Sequence, residues 1–224
     1  MYKVCIFDLD GTLANTLSSI AYFSNEALTR CGLQTIPVED YRTIVGNGVD
    51  TQVHRMMDRV CGAGRYTQEE LDKLKKIYNQ LYEENPTCML HRYDGMDELL
   101  AGLKQAGLKL AVCSNKPDVW AGAVVDSLFP RGTFDICLGQ KPGIEKKPSP
   151  QGALFIAQRL GASPKECLYI GDTNTDMMTG SAAGMDTVGV LWGFRTQREL
   201  EEAHAKQIVQ KPQEIMKLVA CNMR

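Results

Sequence analysis

Four aspartates stand where two short apolar runs give way to polar residues. Asp8 and Asp10 follow Val4-Cys5-Ile6-Phe7 in the string Asp8-Leu9-Asp10-Gly11-Thr12, and Asp172 and Asp176 lie in Gly171-Asp172-Thr173-Asn174-Thr175-Asp176. A third apolar run ends in Ser114-Asn115, and Lys147 precedes Pro148. Gathering such carboxylates in one place is costly: two of them ~4 Å apart repel by about 4 kcal/mol at an effective dielectric of 20. A divalent cation resolves the conflict. Oxygen ligands without an imidazole or thiolate cluster favour magnesium, which keeps several waters and takes one or two carboxylates plus substrate phosphate. Lys147 adds positive charge, in the extended pose that a following proline favours and beside a helix start, where anions are welcome. The set suits a phosphoryl group.

For these residues to meet, the runs that carry them must be neighbouring strands. Val4 to Phe7, Leu108 to Cys113, Phe134 to Leu138, Cys167 to Ile170 and Thr187 to Leu191 read as buried strands alternating with helices, the pattern of a parallel sheet. Ligands of such sheets bind beyond the carboxyl ends of the strands, where the aspartates and Ser114 fall. Ser149 as N-cap, Pro150 at the first helical position and Gly161 as stop bound a helix with Ala153, Ile156, Ala157 and Leu160 on one face. Ser163 and Glu166 form a capping box. From Thr16 to Glu84 no strand-like run occurs. Leu17, Ile20, Ala21, Ser24 and Leu28 make a helical stripe, a second helix runs from Val49 to Val60, and Thr67 with Glu70 caps a third. The fold class is α/β: a Rossmann-like core of residues 1–15 and 85–224, its parallel sheet flanked by helices, carrying an inserted all-helical domain of residues 16–84.

Four ordered motifs, Asp8 to Leu13 (DLDGTL), Cys113 to Pro117 (CSNKP), Lys146 to Pro150 (KKPSP) and Gly171 to Asp176 (GDTNTD), together with the tail from Ser181 to Arg195, resemble the haloacid dehalogenase superfamily and, within it, the phosphoglycolate-phosphatase-like branch. The resemblance implies a magnesium-dependent phosphatase. Asp8 would attack phosphorus to form an aspartyl-phosphate, and Asp10 would protonate the leaving oxygen and then serve as base toward water. Thr12, Ser114, Asn115 and Lys147 would hold the phosphoryl oxygens. Asp8 and Asp172 would bind the metal through side chains and Asp10 through its backbone carbonyl, with Asp176 as their outer partner. The helical insert looks like the family's cap, and its Val45-Gly46-Asn47-Gly48 segment resembles the loop that reaches over the active site. Arg42, Asn47 and Arg55 are then candidates for a substrate carboxylate, and Gly46 and Gly48 for close backbone approach. The chain departs from the pattern at Asn15, often acidic in relatives, and at Asp94, often proline, read here as an N-cap.

An isolated aspartate is usually a cap or turn residue, and the functional reading rests on the joint set with Lys147 and Ser114. Trp120 and Trp192 read as packing residues, and Met56, Met57, Met177 and Met178 as core filler. 2-Phosphoglycolate is the expected substrate, with sugar phosphates, pyrophosphate and nucleoside monophosphates as alternatives, because selectivity lives in the cap. A signalling module phosphorylated on aspartate also carries acidic residues after its first strand; chain length, the insert and the Asp8/Asp10 spacing favour a hydrolase. Cap movement would hinge near Ala14 to Leu17 and Asn85 to Cys88.

Composition narrows the partners. A net charge of −2 over 224 residues, with both signs interspersed, gives no footprint for nucleic acid or a membrane surface, so a small phosphorylated metabolite is expected. The opening apolar run is too short for a signal peptide. Eight cysteines without a C-x-x-C pair, with Cys5, Cys113, Cys137 and Cys167 in apolar runs, read as buried thiols of a reducing cytoplasm, and three scattered histidines argue against a structural zinc site. A monomer or dimer is expected.

Overall fold

The computed structural model describes residues 1–222. Six strands form one parallel sheet: β1 (Val4–Phe7), β4 (Lys109–Pro117), β5 (Ile136–Gln140), β6 (Cys167–Gly171), β7 (Asp186–Val190) and β8 (Gln207–Val209), in the order β5-β4-β1-β6-β7-β8. β1 is central, with Phe7 opposite Val112 on one side and Ile170 on the other. Strands covered on both faces must be apolar throughout, and all four residues of β1 are buried. Successive side chains take opposite faces. Cys5, Phe7, Leu110, Val112, Leu168 and Ile170 pack with α5 (Met96–Gln105), α6 (Asp118–Leu128) and α10 (Pro212–Asn222). Val4, Ile6, Ala111, Cys113 and Tyr169 pack with α7 (Gln151–Arg159) on the other face. Between them, α8 (Asn174–Ala182) and α9 (Gln197–Glu202) complete the flanking layers.

The inserted helical region leaves and rejoins the core through a two-stranded antiparallel ribbon, β2 (Ala14–Asn15) against β3 (His91–Arg92). It contains α1 (Leu17–Arg30), α2 (Tyr41–Ile44), α3 (Val49–Cys61) and α4 (Gln68–Glu84). The expected α1 stripe is buried, and Thr67 and Glu70 close the capping box of α4. The apolar cluster of the insert takes in two side chains of the core, Trp120 and Phe194. The Trp120 ring lies 4.6 Å from that of Tyr82 and 6.4 Å from that of Tyr78, both on α4. Aromatic pairs at such spacing add about 0.5–1.5 kcal/mol to area burial, so Trp120 does pack, and it does so across the junction.

Several local expectations need correction. α5 begins after Gly95, whose φ of 81° makes the turn, and Asp94 is exposed and caps nothing. α7 begins at Gln151, one residue later than read, with Ser149 Oγ accepting from Gln151 N at 3.3 Å. β4 does not stop at Cys113: it runs through Ser114 and Asn115 to Pro117, with an irregular register between Cys113 and Pro117. Met56, Met57 and Met177 are core residues, but Met178 is 49% exposed. Cys137 is half-buried, whereas Cys5, Cys113 and Cys167 are buried, and all eight thiols are free. β8, α9 and α10 carry no signal singled out in the sequence; β8 has three residues and α9 six, too short for a periodicity to show.

Candidate active site

The carboxyl ends of β1, β4 and β6 meet at the centre of the sheet, so the residues that follow them converge. Asp8, the first residue past β1, donates its N–H to Ile170 O at 2.9 Å and so continues the pairing with β6. Asp172 follows β6, and Asp176 lies in the first turn of α8. One carboxylate oxygen from each of Asp8, Asp172 and Asp176 lies within 4.8 Å of the others, and all three residues are buried.

Lys147 enters this cluster from the segment before α7, through a cis bond to Pro148. Its ammonium reaches Asp8 Oδ1 at 2.7 Å and Asp176 Oδ1 at 2.6 Å. The backbone of Lys147 is gripped by Asn115, whose Oδ1 accepts from Lys147 N at 2.7 Å and whose Nδ2 donates to Lys147 O at 3.1 Å. Asn115 therefore positions the lysine rather than facing the cavity with a free amide. Asp176 also holds the helix it stands on. Its Oδ2 accepts from Thr173 N at 3.1 Å and Thr173 Oγ1 at 2.6 Å, closing the capping box of α8.

Asp172 is clamped on both oxygens, Oδ1 accepting from Thr12 Oγ1 at 3.0 Å and Oδ2 from Phe194 N at 2.7 Å. The Thr12 hydroxyl, expected on a phosphoryl oxygen, is thus engaged with Asp172. Gly11 (φ 92°) and Gly193 press against Asp172 so closely that a Cβ at either would collide with its side chain.

Electrostatically the cluster lacks positive charge. Burial, then Asp176, push the Asp8 carboxyl well above the usual range despite Lys147. Burial and Asp176 likewise push Asp172 up to about 7, against the hydrogen bonds from Phe194 and Thr12. For Lys147 burial disfavours the charge, but Asp176 and Asp8 prevail and hold it protonated. Three buried carboxylates share one ammonium, and a hard divalent cation is the group that such an all-oxygen set accepts. Asp10 stays outside the triangle: its two oxygens accept from Lys116 Nζ, each at 3.1 Å. The Cys113–Pro117 run contains Lys116, but nothing in the run says which way β4 turns its side chain.

A cavity of about 40 Å³ opens above the cluster, lined by Asp8, Asp10, Ser114 and Lys116 of the core and by Gly46, Gly48 and Gln52 of the insert, among others. Gly46 and Gly48 are among the residues through which the loop of the insert lines it. Arg42, Asn47 and Arg55 do not line it. Arg42 donates to Gly193 O at 2.8 Å and to Glu39, Arg55 braces Ile44 O and Asn47 Oδ1, and Asn47 Nδ2 donates to Thr175 Oγ1 at 2.9 Å. These side chains fasten the loop instead of waiting for a ligand. From the core, Arg195 donates to Arg42 O and to Val45 O at 2.9 Å, a clamp missed in the sequence because an arginine in a loop carries no positional signal.

The chain is similar to known proteins along nearly its whole length. Residues 5–190 match the model of the haloacid dehalogenase-like hydrolase family. A phosphoglycolate phosphatase of Mannheimia succiniciproducens is 30% identical over 220 residues, 97% of this chain and 98% of its own, and one of Aquifex aeolicus is 32% identical over 86% of each chain. Two solved structures whose phosphoglycolate phosphatase activity is itself predicted are also similar. The one from Lactobacillus delbrueckii subsp. bulgaricus superposes with a TM-score of 0.92 at 31% identity, covering 97% of this chain and 98% of that one. The one from Haemophilus somnus gives 0.90 at 28% identity with the same coverage. With its buried carboxylate cluster, parallel sheet and helical insert, the chain belongs to the haloacid dehalogenase-like hydrolase family, in its phosphoglycolate-phosphatase-like branch, and is a phosphoric monoester hydrolase.

Proposed function

We propose that the chain is a magnesium-dependent phosphatase for 2-phosphoglycolate. The observation that carries this reading is the Lys147-bridged pair Asp8 and Asp176, set with Asp172 below a cavity of about 40 Å³. Asp8 is the only member of the three that lines the cavity, which suits it to be the nucleophile. Its carboxylate oxygen bonds to phosphorus as the bond from phosphorus to the glycolate oxygen breaks, and Asp10 hands its proton to that leaving oxygen. Asp10 then takes a proton from the water that attacks the aspartyl-phosphate, releasing inorganic phosphate and restoring Asp8. Lys147 and Ser114 hold phosphoryl oxygens while charge spreads over them. Thr12 and Asn115 act one step back, orienting Asp172 and Lys147. Asp8, Asp172 and the backbone carbonyl of Asp10 would hold the magnesium ion, which when bound would neutralise the carboxylates and draw charge from the phosphoryl oxygens. Asp176, whose Oδ1 takes the Lys147 ammonium while its Oδ2 closes the cap of α8, supports Lys147.

Residues 16–84 act as the cap. The likeness to the phosphoglycolate phosphatases of Mannheimia succiniciproducens and Aquifex aeolicus supports 2-phosphoglycolate over a sugar phosphate or a nucleotide. Cap movement admits substrate and water, with bending at 14–17 and 85–88 on either side of the ribbon. Eight free thiols support a reducing cytoplasm as its setting, and among the described residues no helix is long and apolar enough to cross a membrane.

The test is phosphate release from a panel of esters with and without magnesium, comparing the natural chain with Asp8→Asn. 2-Phosphoglycolate should be the preferred ester, and Asp8→Asn should release nothing measurable from any of them. Turnover of 2-phosphoglycolate no faster than that of a generic ester would sink the substrate assignment; an active Asp8→Asn variant would sink the mechanism.

A further inference from the structure

Lys116 is a buried cation for which the chemistry at Asp8 gives no account. Its side chain is 5% exposed, and its ammonium lies 4.8 Å from the centre of the Tyr82 ring. The Tyr82 hydroxyl is itself buried without a protein partner. Burying an ammonium group costs several kcal/mol unless it is paired. Asp10 supplies that pairing and, against the burial, holds Lys116 protonated. Asp10 itself lines the cavity, so the lysine that pairs with it is brought to the cavity wall as well. Lys116 is the one cationic side chain in that wall among the described residues. Lys147, the other buried lysine, is shared between Asp8 and Asp176 at the phosphoryl end of the site.

The insert contributes a second anion-friendly feature. Gly48, at the N-cap of the 13-residue helix α3, makes no side-chain cap, and Gly48, Val49 and Gln52 line the cavity. The first N–H groups of a helix carry partial positive charge. The cavity is therefore bounded by Asp8 and Ser114, where a phosphoryl group is handled, and by Lys116 with the first turn of α3.

We propose that Lys116, with the start of α3, binds an anionic group at the far end of the substrate, so that the pocket selects phosphate monoesters carrying a carboxylate close to the ester oxygen over uncharged esters of the same length. This rests on the phosphatase reading above and names the residue that gives it selectivity. An ammonium has three donors, so Lys116 can bind the incoming carboxylate without releasing Asp10. A site built around a charged partner discriminates strongly, because the analogue that lacks the charge leaves the buried cation short of a partner.

The experiment compares kcat/KM for 2-phosphoglycolate and ethyl phosphate, which match in length and differ in charge, in the natural chain, Lys116→Met and Lys116→Arg. Any effect transmitted through Asp10 falls on both esters and cancels in their ratio. The natural chain should favour 2-phosphoglycolate by about 100-fold. Lys116→Met should cut that ratio to below about 5, chiefly through KM for 2-phosphoglycolate, and Lys116→Arg should recover part of it. Equal losses on the two esters in Lys116→Met would overturn the proposal and leave Lys116 a partner of Asp10 alone. A natural chain that hydrolyses other phosphate esters but neither of these would sink the substrate reading, a separate failure that takes this one with it. Should Lys116→Met not fold, calorimetry on the natural chain decides: the non-hydrolysable 3-phosphonopropanoate should bind at least about 30-fold tighter than propylphosphonate, and equal affinities would overturn the assignment.

Discussion

Lys147 and Asp176 meet at 2.6 Å with the lysine side chain 3% exposed and the carboxylate fully buried. Their bond joins the segment before α7 to the first turn of α8, 29 residues apart in the chain, and Asp176 simultaneously caps α8 through Thr173. One side chain thus ties the lysine, the helix and the carboxylate cluster into a unit.

Lys147→Met should accordingly damage more than catalysis. Breaking a buried pair by removing one partner costs about 3–5 kcal/mol, and here two carboxylates lose their cation at once. Urea unfolding without metal should show a loss of that size, and saturating magnesium should return a large part of it. Wild-type stability in the variant would mean that the bridge seen at Asp8 and Asp176 contributes nothing in solution.

Asp8→Asn should move stability the other way. With three carboxylates around one ammonium, removing one charge relieves repulsion while Lys147 keeps Asp176. A gain of about 1 kcal/mol corresponds to a rise of roughly 2–4 °C in Tm for a chain of this size. The measurement is a thermal melt in chelator, and a lowered Tm would contradict the crowding of charge inferred here.

The metal-free protein should become less stable as pH rises from about 4 to about 7. Asp172 is held up to about 7 in the folded chain, whereas an unfolded aspartate releases its proton near pH ~4. Between these values the folded state binds the extra proton, so raising the pH withdraws stability, on the order of 3 kcal/mol across the window. Asp8, shifted in the same direction, adds to the slope. Magnesium should flatten the profile and should stabilise most at the alkaline end. A level metal-free profile between pH 4.5 and 7.5, read from denaturant midpoints, would refute the assignment.

Arg195→Gln should loosen the insert without touching the carboxylates. Arg195 is nearly buried and holds the carbonyls of Arg42 and Val45 from the core side. Its loss should speed amide exchange in residues 41–48 and raise KM roughly 5- to 20-fold, about 1–2 kcal/mol of binding, with a smaller effect on kcat. Unchanged exchange in that segment would show that other contacts carry the closure.

Much of this molecule could be read before any coordinates. Strands buried on both faces leave continuous apolar runs, and β1, β4, β5, β6 and β7 were all visible as such. The ends of those runs then located Asp8, Ser114 and Asp172, because topology alone decides where parallel strands deliver their last residues. The capping boxes at Thr67 and Ser163 were legible because they depend on local spacing. Side-chain direction was not legible. Arg42, Asn47 and Arg55 were plausible ligand contacts by type, yet each finds a backbone carbonyl or side chain more than one turn away. Asp94 looked like a cap, but the left-handed Gly95 already turns the chain there. Lys116 and Arg195 are long side chains whose partners, Asp10 and Val45, are 106 and 150 residues distant, and no local pattern encodes such pairings.

Gly11 and Gly193 confine Asp172 with bare backbone on two sides. Any larger residue at either place would drive into the carboxylate, so this corner has almost no room for inherited variation. The cavity wall on the insert side is instead built from side chains such as Gln52 and Tyr78. A lineage could therefore exchange its substrate by altering the lid while the machinery beneath stayed frozen, and laboratory evolution should find its beneficial changes on α3 and α4 and almost none beside these glycines.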